Sequence, residues 1–309
     1  MANGSVFSSN VTQVSPGNNR TAVIVQTFFF TLLLLCFIMF LYLILGILNI
    51  YFSTPHLRET LRCVFFAHML VSDTLYFLVA LFLLLSSIIY VFQMPIPFCL
   101  AIQTLATATY RVTPYNLAVM SIEQYIAICF PLRHGAFSTD RNSNVAIAIM
   151  WVVGLMPNAA EFIAMSPVVT KDFFLHSAIC NRAVIVLHPV QDTIQSFSYI
   201  VTFVLVALVI VYTYIKVMLV AQKITSKQMA ASKAGKTVML HALQLFLCMN
   251  AFLASLTEKY LKDYIPFIFL INFLIFMCLP RFLSPLIYGL RDDAFRKGIK
   301  HLFSIPCCR

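Results

Sequence analysis

The chain has 309 residues, of which 61% are hydrophobic and only 10% charged, and its formal net charge is +10. A soluble domain carries about 25% charged residues, so this composition describes a membrane protein and leaves almost nothing for a separate soluble domain. No paired carboxylates, metal-ligand spacing or nucleophile with a base accompany it, so an enzyme, a metal and a cofactor all lack support.

Residues 1–21 are polar and contain three N-glycosylation acceptors, at Asn3, Asn10 and Asn19. They hold no apolar segment that a signal peptidase would remove, so the first span is expected to act as its own insertion signal. A helix crossing the hydrocarbon needs about 20 mainly apolar residues. Polar or proline-containing boundaries mark seven such stretches, at 22–51, 63–92, 97–130, 143–165, 192–221, 237–257 and 264–290. The expected fold is an all-α membrane protein, a seven-transmembrane helix bundle over 22–290. Residues 291–309 follow as a cytoplasmic segment, in which DDAFRKGIKHLF reads as a short amphipathic helix lying on lipid.

Orientation follows from basic residues, which collect in cytoplasmic loops. With the N-terminus outside, the outer segments hold Arg20, Lys171, Arg182, Lys259 and Lys262, five in all. The inner ones hold fourteen: Arg58, Arg62, Arg133, Arg141, Lys216, Lys223, Lys227, Lys233, Lys236, Arg291, Arg296, Lys297, Lys300 and Arg309. The expectation is a multi-pass plasma-membrane protein whose positive charge answers the anionic inner leaflet, not a nucleic acid.

Of the nine cysteines, five lie in or at the edges of apolar spans and read as small packing residues. Cys99 and Cys180 are the two on the outer side, an oxidising compartment, and are expected to form a disulfide. Cys307 and Cys308 follow the basic amphipathic segment, where palmitoylation and two free thiols fit the spacing equally.

The stretch MSIEQYIAICFPLRH, 120–134, ends an apolar run on Glu123 and Gln124. Glu123 lies about 36 Å of helix beyond Cys99, so Glu-Gln-Tyr marks the cytoplasmic mouth of the third span. There its carboxylate can face the basic third inner loop.

This stretch resembles the Asp/Glu-Arg-Tyr motif of family-A (rhodopsin-like) G-protein-coupled receptors, in the form found in odorant receptors. GILN at 46–49, LVSD at 70–73, Trp151, TYIKVMLVAQKI from 213, KAGKTVMLH at 233–241 and PLIYGLRDDAF from 285 extend the likeness over nearly the whole chain. The resemblance implies a chemosensory receptor that binds a small organic odorant and activates an olfactory, stimulatory G protein that raises cAMP. It implies coupling and switch roles for Glu123, Gln124, Tyr125, Tyr214, Thr237, His241, Pro285 and Tyr288. His241 is assigned a hydrogen-bonded structural part, and both Tyr214 and Tyr288 could instead be interfacial anchors.

The departures are informative. Gln124 stands where the family has arginine, which leaves Glu123 without its neighbouring cation. Ser284 replaces the Asn or Asp before Pro285, the loop after span four has one cysteine where mammalian odorant receptors have several, and helix five lacks its usual proline. These point to a divergent branch, of fish type, and keep a weakly coupling or non-coupling receptor in view. A seven-span transporter or channel is the other alternative, though those show paired repeats or broken half-helices and no repeat is evident here.

Three ions sit at membrane depth, where each asks for a partner or a wet cavity. Asp73 and Arg281 both lie about 15 to 17 Å from the inner face. In the family this aspartate belongs to a sodium-binding cluster; the expectation is that the Arg281 guanidinium takes the ion's place and pairs with Asp73. The alternative is separate solvation. Arg111, near the centre of span three, has no acidic residue at obvious matching depth. It either floors a ligand pocket and favours an acidic or strongly hydrogen-bond-accepting ligand, or pairs with a backbone carbonyl freed by Pro114.

By the same resemblance the pocket lies between helices three, five, six and seven in the outer half. Its candidate residues are Gln103, Thr104, Thr107, Arg111, Ser198, Thr202, Phe252, Leu256 and Leu274, a mostly apolar set with scattered hydroxyls. Ala106 stands where amine receptors carry aspartate, and Cys278 where opsins carry the retinal lysine. Chemosensory binding stays open, and so do monomer and homodimer.

Overall fold

The computed structural model describes residues 19–58, 60–89, 93–132, 135, 139–224, 243, 268–279 and 281–283. Five long helices dominate them: α1, Asn19–Ser53; α2, Leu61–Ile89; α3, Ile96–Cys129; α4, Asp140–Met165; and α5, Pro189–Ile224. They coincide with the first five apolar stretches. Of the seventh, the helical turn Ile268–Asn272 and the π-helical turn Phe273–Cys278 are described. The sixth stretch, apart from Leu243, and the amphipathic segment after 290 lie outside the described residues.

The sequence makes these helices long because nothing interrupts their apolar runs. α1 has no internal proline or charge between Arg20 and its end, and its buried stripe, Leu33, Phe40, Ile44, Ile47 and Tyr51, recurs at helical spacing. α3 opens on a proline in its first turn, where a missing N–H costs nothing. α4 is capped by Thr139, whose hydroxyl accepts from the Asn142 N–H at 3.4 Å.

The outward faces are the reverse of a soluble protein. On α5, Phe197, Ile200, Val204, Leu208, Val211, Ile215 and Leu219 form a stripe of exposed apolar side chains, while Thr202 and Thr213 are buried. Such a surface suits hydrocarbon, not water. Among the described residues, segments of α1, α2, α4 and α5 are long and apolar enough to cross a membrane.

α3 is the axis. The four consecutive residues Arg111, Val112, Thr113 and Pro114 are all buried, which on a helix means that neighbours surround the full circumference. Those neighbours are α2, α4 and α5. The Phe77 ring of α2 packs on Phe37 and Phe40 of α1 at 5.3 and 5.1 Å and on Phe273 at 6.1 Å, tying three segments together.

One end of the bundle is closed by the α4–α5 connection. Strand β1, Gln93–Pro95, pairs antiparallel with β2, Ser177–Ile179, with Met94 opposite Ala178. Cys99 in the first turn of α3 is bonded to Cys180 just after β2. Both sulfurs are buried with Met94 and Ile185 in a small apolar cluster of their own.

α3 and α4 approach closely at Gly154, where an added Cβ would lie 3.3 Å from Val112 Cγ2 and 3.6 Å from the Ala108 carbonyl oxygen. In lipid, small residues at such crossings let helices make the van der Waals contacts that hold them. Replacing Gly154 with Leu is therefore expected to destabilise the protein by about 1–3 kcal/mol through overpacking. Melting in detergent should find Gly135→Ala neutral, since among the described residues nothing lies within 4 Å of a Cβ added there.

Candidate ligand pocket and charge pairs

Between the disulfide and the midpoint of α3 lies a buried polar cluster centred on Arg111, which is 0% exposed. Its Nη1 donates to Asn158 Oδ1 on α4 and its Nη2 to Ser198 Oγ on α5 at 3.3 Å. The guanidinium also lies 4.9 Å from the ring centroid of Tyr199. Sequence reasoning found no acidic partner for Arg111, and the structure corrects this: Glu161 Oε1 on α4 is 3.5 Å from Nη2. Glu161 lies only about 6 Å of helical rise from the end of α4, so counting residues placed it too shallow. A long arginine side chain spans that difference in depth.

Glu161 is shared. Its Oε2 is 3.4 Å from Nη1 of Arg182, whose Nη2 in turn meets Asp192 Oδ1 at 3.1 Å. Arg182 had registered only as a loop charge, yet it stands two residues after Cys180, so the disulfide holds it over the cluster. Two cations and two anions alternate here and the cluster is neutral as a whole.

Beside the cluster, between α3 and α4, opens a cavity of about 320 Å³. The expected residues Gln103, Thr104 and Thr107 line it, together with Leu155, Asn158, Glu161, Phe162, Arg182 and Gln191, which sequence reasoning missed. Arg111, Ser198 and Thr202 are not among its walls: Ser198 serves Arg111, and Thr202 Oγ1 lies 2.8 Å from the Tyr115 hydroxyl. Leu274 sits half-buried in the π-helical turn. Phe252 and Leu256 lie outside the described residues. This cavity is bounded by helices three and four, the connection that follows helix four and the first turn of helix five; the expected one lay among helices three, five, six and seven, and helix six apart from Leu243 lies outside the described residues.

In the middle of the bundle Arg281 Nη1 lies 2.6 Å from Asp73 Oδ1, and that oxygen also accepts from the Thr113 hydroxyl at 2.7 Å. The guanidinium is stacked on Tyr76, 3.6 Å from its centroid, with Tyr110 at 5.6 Å. Both ions are buried. The π-helical turn that ends at Cys278 immediately precedes this arginine, and such turns recur at functional sites.

A second polar relay crosses α2, α3 and α4. The Trp151 indole N–H donates to His68 Nε2 at 3.0 Å. On the other side of the ring, His68 Nδ1 lies 2.9 Å from the Asn116 carboxamide nitrogen. The relay joins three helices through a histidine that the sequence gave no reason to single out.

At the opposite end Glu123 does not lack a cation. Arg62, at the start of α2, brings Nε to 3.5 Å from Glu123 Oε2, where the third inner loop had been expected. The pair supplies from the neighbouring helix the charge that Gln124 does not. Gln124 is itself buried, and Tyr125 packs edge-on to Phe130 and Tyr212. Tyr214 is half-buried on α5. Thr237, His241, Pro285 and Tyr288 lie outside the described residues, as do Asn3, Asn10, Cys307 and Cys308; Asn19 is the first residue of α1.

The central pair makes a sharp prediction. Asp73→Asn strands a buried guanidinium and is expected to cost about 3–5 kcal/mol. Asp73→Asn with Arg281→Gln removes both charges and should recover most of that loss, read as folded receptor surviving detergent extraction and as its melting temperature.

Comparison with known proteins places this architecture. Residues 45–288 match the family model described as 7 transmembrane receptor (rhodopsin family). Odorant receptor 131-2 of Danio rerio is 32% identical over 196 residues, which cover 61% of this chain and 60% of that relative. Olfactory receptor 6K3 of Homo sapiens is 27% identical over 200 residues, 61% of this chain and 58% of the relative. Olfactory receptor 51E2 of Rattus norvegicus is 23% identical over 219 residues, 68% and 67% of the two chains. The match spans less than two-thirds of the first two of these relatives' lengths. The family is one of receptors and not of enzymes, and its members are multi-pass seven-helix bundles; the chain belongs to it, a rhodopsin-family seven-transmembrane receptor.

Proposed function

We propose that this chain is a chemosensory receptor of the plasma membrane, which binds a small organic odorant at the disulfide end of its bundle and activates an olfactory, stimulatory G protein at the other. The observation that carries the reading is the buried, charge-balanced cluster around Arg111, beside a cavity and beneath a disulfide-tied cap. Relatives named as odorant and olfactory receptors support the class of ligand.

The disulfide end faces outward, as the fourteen-to-five distribution of basic residues favours, with the sequons on the same side. The basic tail after 290 lies on the inner leaflet, where acylation of Cys307 and Cys308 would strengthen its hold. Ligand must bind one arrangement of the helices better than the other, since equal affinity shifts nothing.

A second reading, a receptor that couples weakly or not at all, is favoured by one feature: Gln124 in place of arginine, with Glu123 held instead by Arg62. One experiment separates the two. Cells expressing the chain are challenged with a panel of neutral and acidic odorants while cAMP is recorded, with Gln124→Arg alongside. A ligand-dependent rise in the native chain is expected, and Gln124→Arg should raise its maximum by roughly fivefold or more, the low end of ordinary coupling energies. A response in Gln124→Arg alone favours the weakly coupling reading; silence of both across the panel overturns the signalling function.

A further inference from the structure

The cavity between α3 and α4 is polar toward the disulfide end and apolar along α4, and most of its polar side chains are already engaged. The Thr107 hydroxyl donates to the Gln103 carbonyl at 2.9 Å, Asn158 donates to the Thr104 carbonyl at 3.0 Å and accepts from Arg111, and Gln191 accepts the Leu187 and His188 N–H groups. Glu161 is paired with two guanidiniums, and both Nη groups of Arg182 face carboxylates, those of Glu161 and Asp192. Gln103 and Thr104 remain. Both are half-buried wall residues; among the described residues their side chains make no hydrogen bond, and their polar atoms are not sealed from a bound molecule. They offer a carboxamide and a hydroxyl, both neutral and both able to donate or accept.

The α4 wall belongs to the lipid-facing side of the bundle. Phe162, Ala159 and Leu155 line the cavity, and with Val152 below them they form an exposed stripe at helical spacing, Phe162 and Val152 by 50% and 62%. From Phe162 to Val152 the stripe runs about 15 Å, half of a hydrocarbon core of about 30 Å and so the depth of one leaflet. Its upper half stands level with the neutral polar pair, because the Thr104 carbonyl is bonded to Asn158, the residue before Ala159. Ala159 leaves a notch between Leu155 and Phe162, and in lipid small residues let a partner pack closely. The shape asks for an amphiphile with a small neutral head and an apolar body one leaflet long. A phospholipid's phosphate needs a free cation, and Arg182 stands between two carboxylates that would repel it. An acyl chain loses its rotational freedom in such a notch, whereas a rigid fused-ring body has little to lose.

We propose that this groove holds a membrane sterol from the leaflet at the disulfide end, its hydroxyl on Gln103 and Thr104 and its rings across Ala159 along the stripe toward Val152. The occupant is a constituent of the membrane and not the odorant, so the test needs no signalling. The full chain is purified into phosphatidylcholine nanodiscs containing a cholesterol analogue with a ring diazirine and a tail alkyne, irradiated, and the labelled peptides are mapped by mass spectrometry. Labelling should saturate and concentrate on the facing turns of α3 and α4, well above the exposed faces of α1 and α5. Cholesterol should displace the probe. Its methyl ether, which cannot donate, should need about fivefold more, the effect of one neutral hydrogen bond. Coprostanol, with the same hydroxyl on a bent ring system, should also displace less well. Ala159→Leu, which fills the notch from an exposed position, and Gln103→Leu, which removes the carboxamide, should each lower labelling here by about fivefold or more. The competitor series on the native chain decides even where a variant fails to fold.

Even labelling of every lipid-facing helix would show ordinary bilayer contact and overturn the site. Equal displacement by the methyl ether would refute the part given to Gln103 and Thr104, and equal labelling by a photoreactive phosphatidylcholine would give the groove to phospholipid and refute the sterol. Labelling unchanged in both variants would put the sterol elsewhere. Saturable sterol labelling without a cAMP response would sustain this site while counting against the signalling function. A cAMP response in a chain that shows no saturable labelling would do the reverse.

Discussion

An ion in hydrocarbon must be answered by another, and α3 is where this chain meets that demand. Arg111, midway along it, is answered by Glu161 of α4, Glu123 near its far end by Arg62 of α2, and Thr113, two residues from Arg111, joins the Asp73–Arg281 pair. Lipid tails are as apolar as leucine, so burying apolar surface gives no reason for one transmembrane helix to prefer a particular neighbour. Polar contacts at fixed depths supply that reason. Each contact fixes the height of a neighbour against α3, and a shift of one helix by a turn, about 5.4 Å, would leave at least one charge unanswered.

Much of this was legible and some was not, for physical reasons. The five long helices begin and end within about three residues of the apolar stretches, because a membrane span is the strongest pattern a sequence can carry. Strands β1 and β2 have three residues each, too short for any periodicity to register. Asp73 and Arg281 could be matched because both lie well inside spans whose inner edges were clear. Glu161 escaped because it lies near a span's edge, and its meeting with Arg111 depends on side-chain reach, which counting helical rise omits. Arg62 was counted only as a signpost of topology, so its service to Glu123 was invisible. The odorant-receptor motifs gave the family, but they say nothing about a carboxylate that joins α4 to two arginines.

The cluster at the disulfide end shows how one covalent link can organise several ionic ones. Cys180 is fixed to the first turn of α3, and two residues later Arg182 reaches Glu161 on α4 and Asp192 on α5. The connecting segment is thereby fastened to three helices through one short stretch. Its contact with Asp192 is more exposed and correspondingly weaker than those deeper in the bundle, while buried Gln191 of α5 accepts the Leu187 and His188 N–H groups of the same segment.

The pair at Asp73 and Arg281 also bears on how this sequence can drift. Their positions are 208 residues apart in the chain, yet neither can be exchanged alone without passing through an intermediate that carries a bare ion in oil. Among descendants and cousins of this gene the two sites should therefore keep their charges together or surrender them together, a correlated inheritance written by solvation.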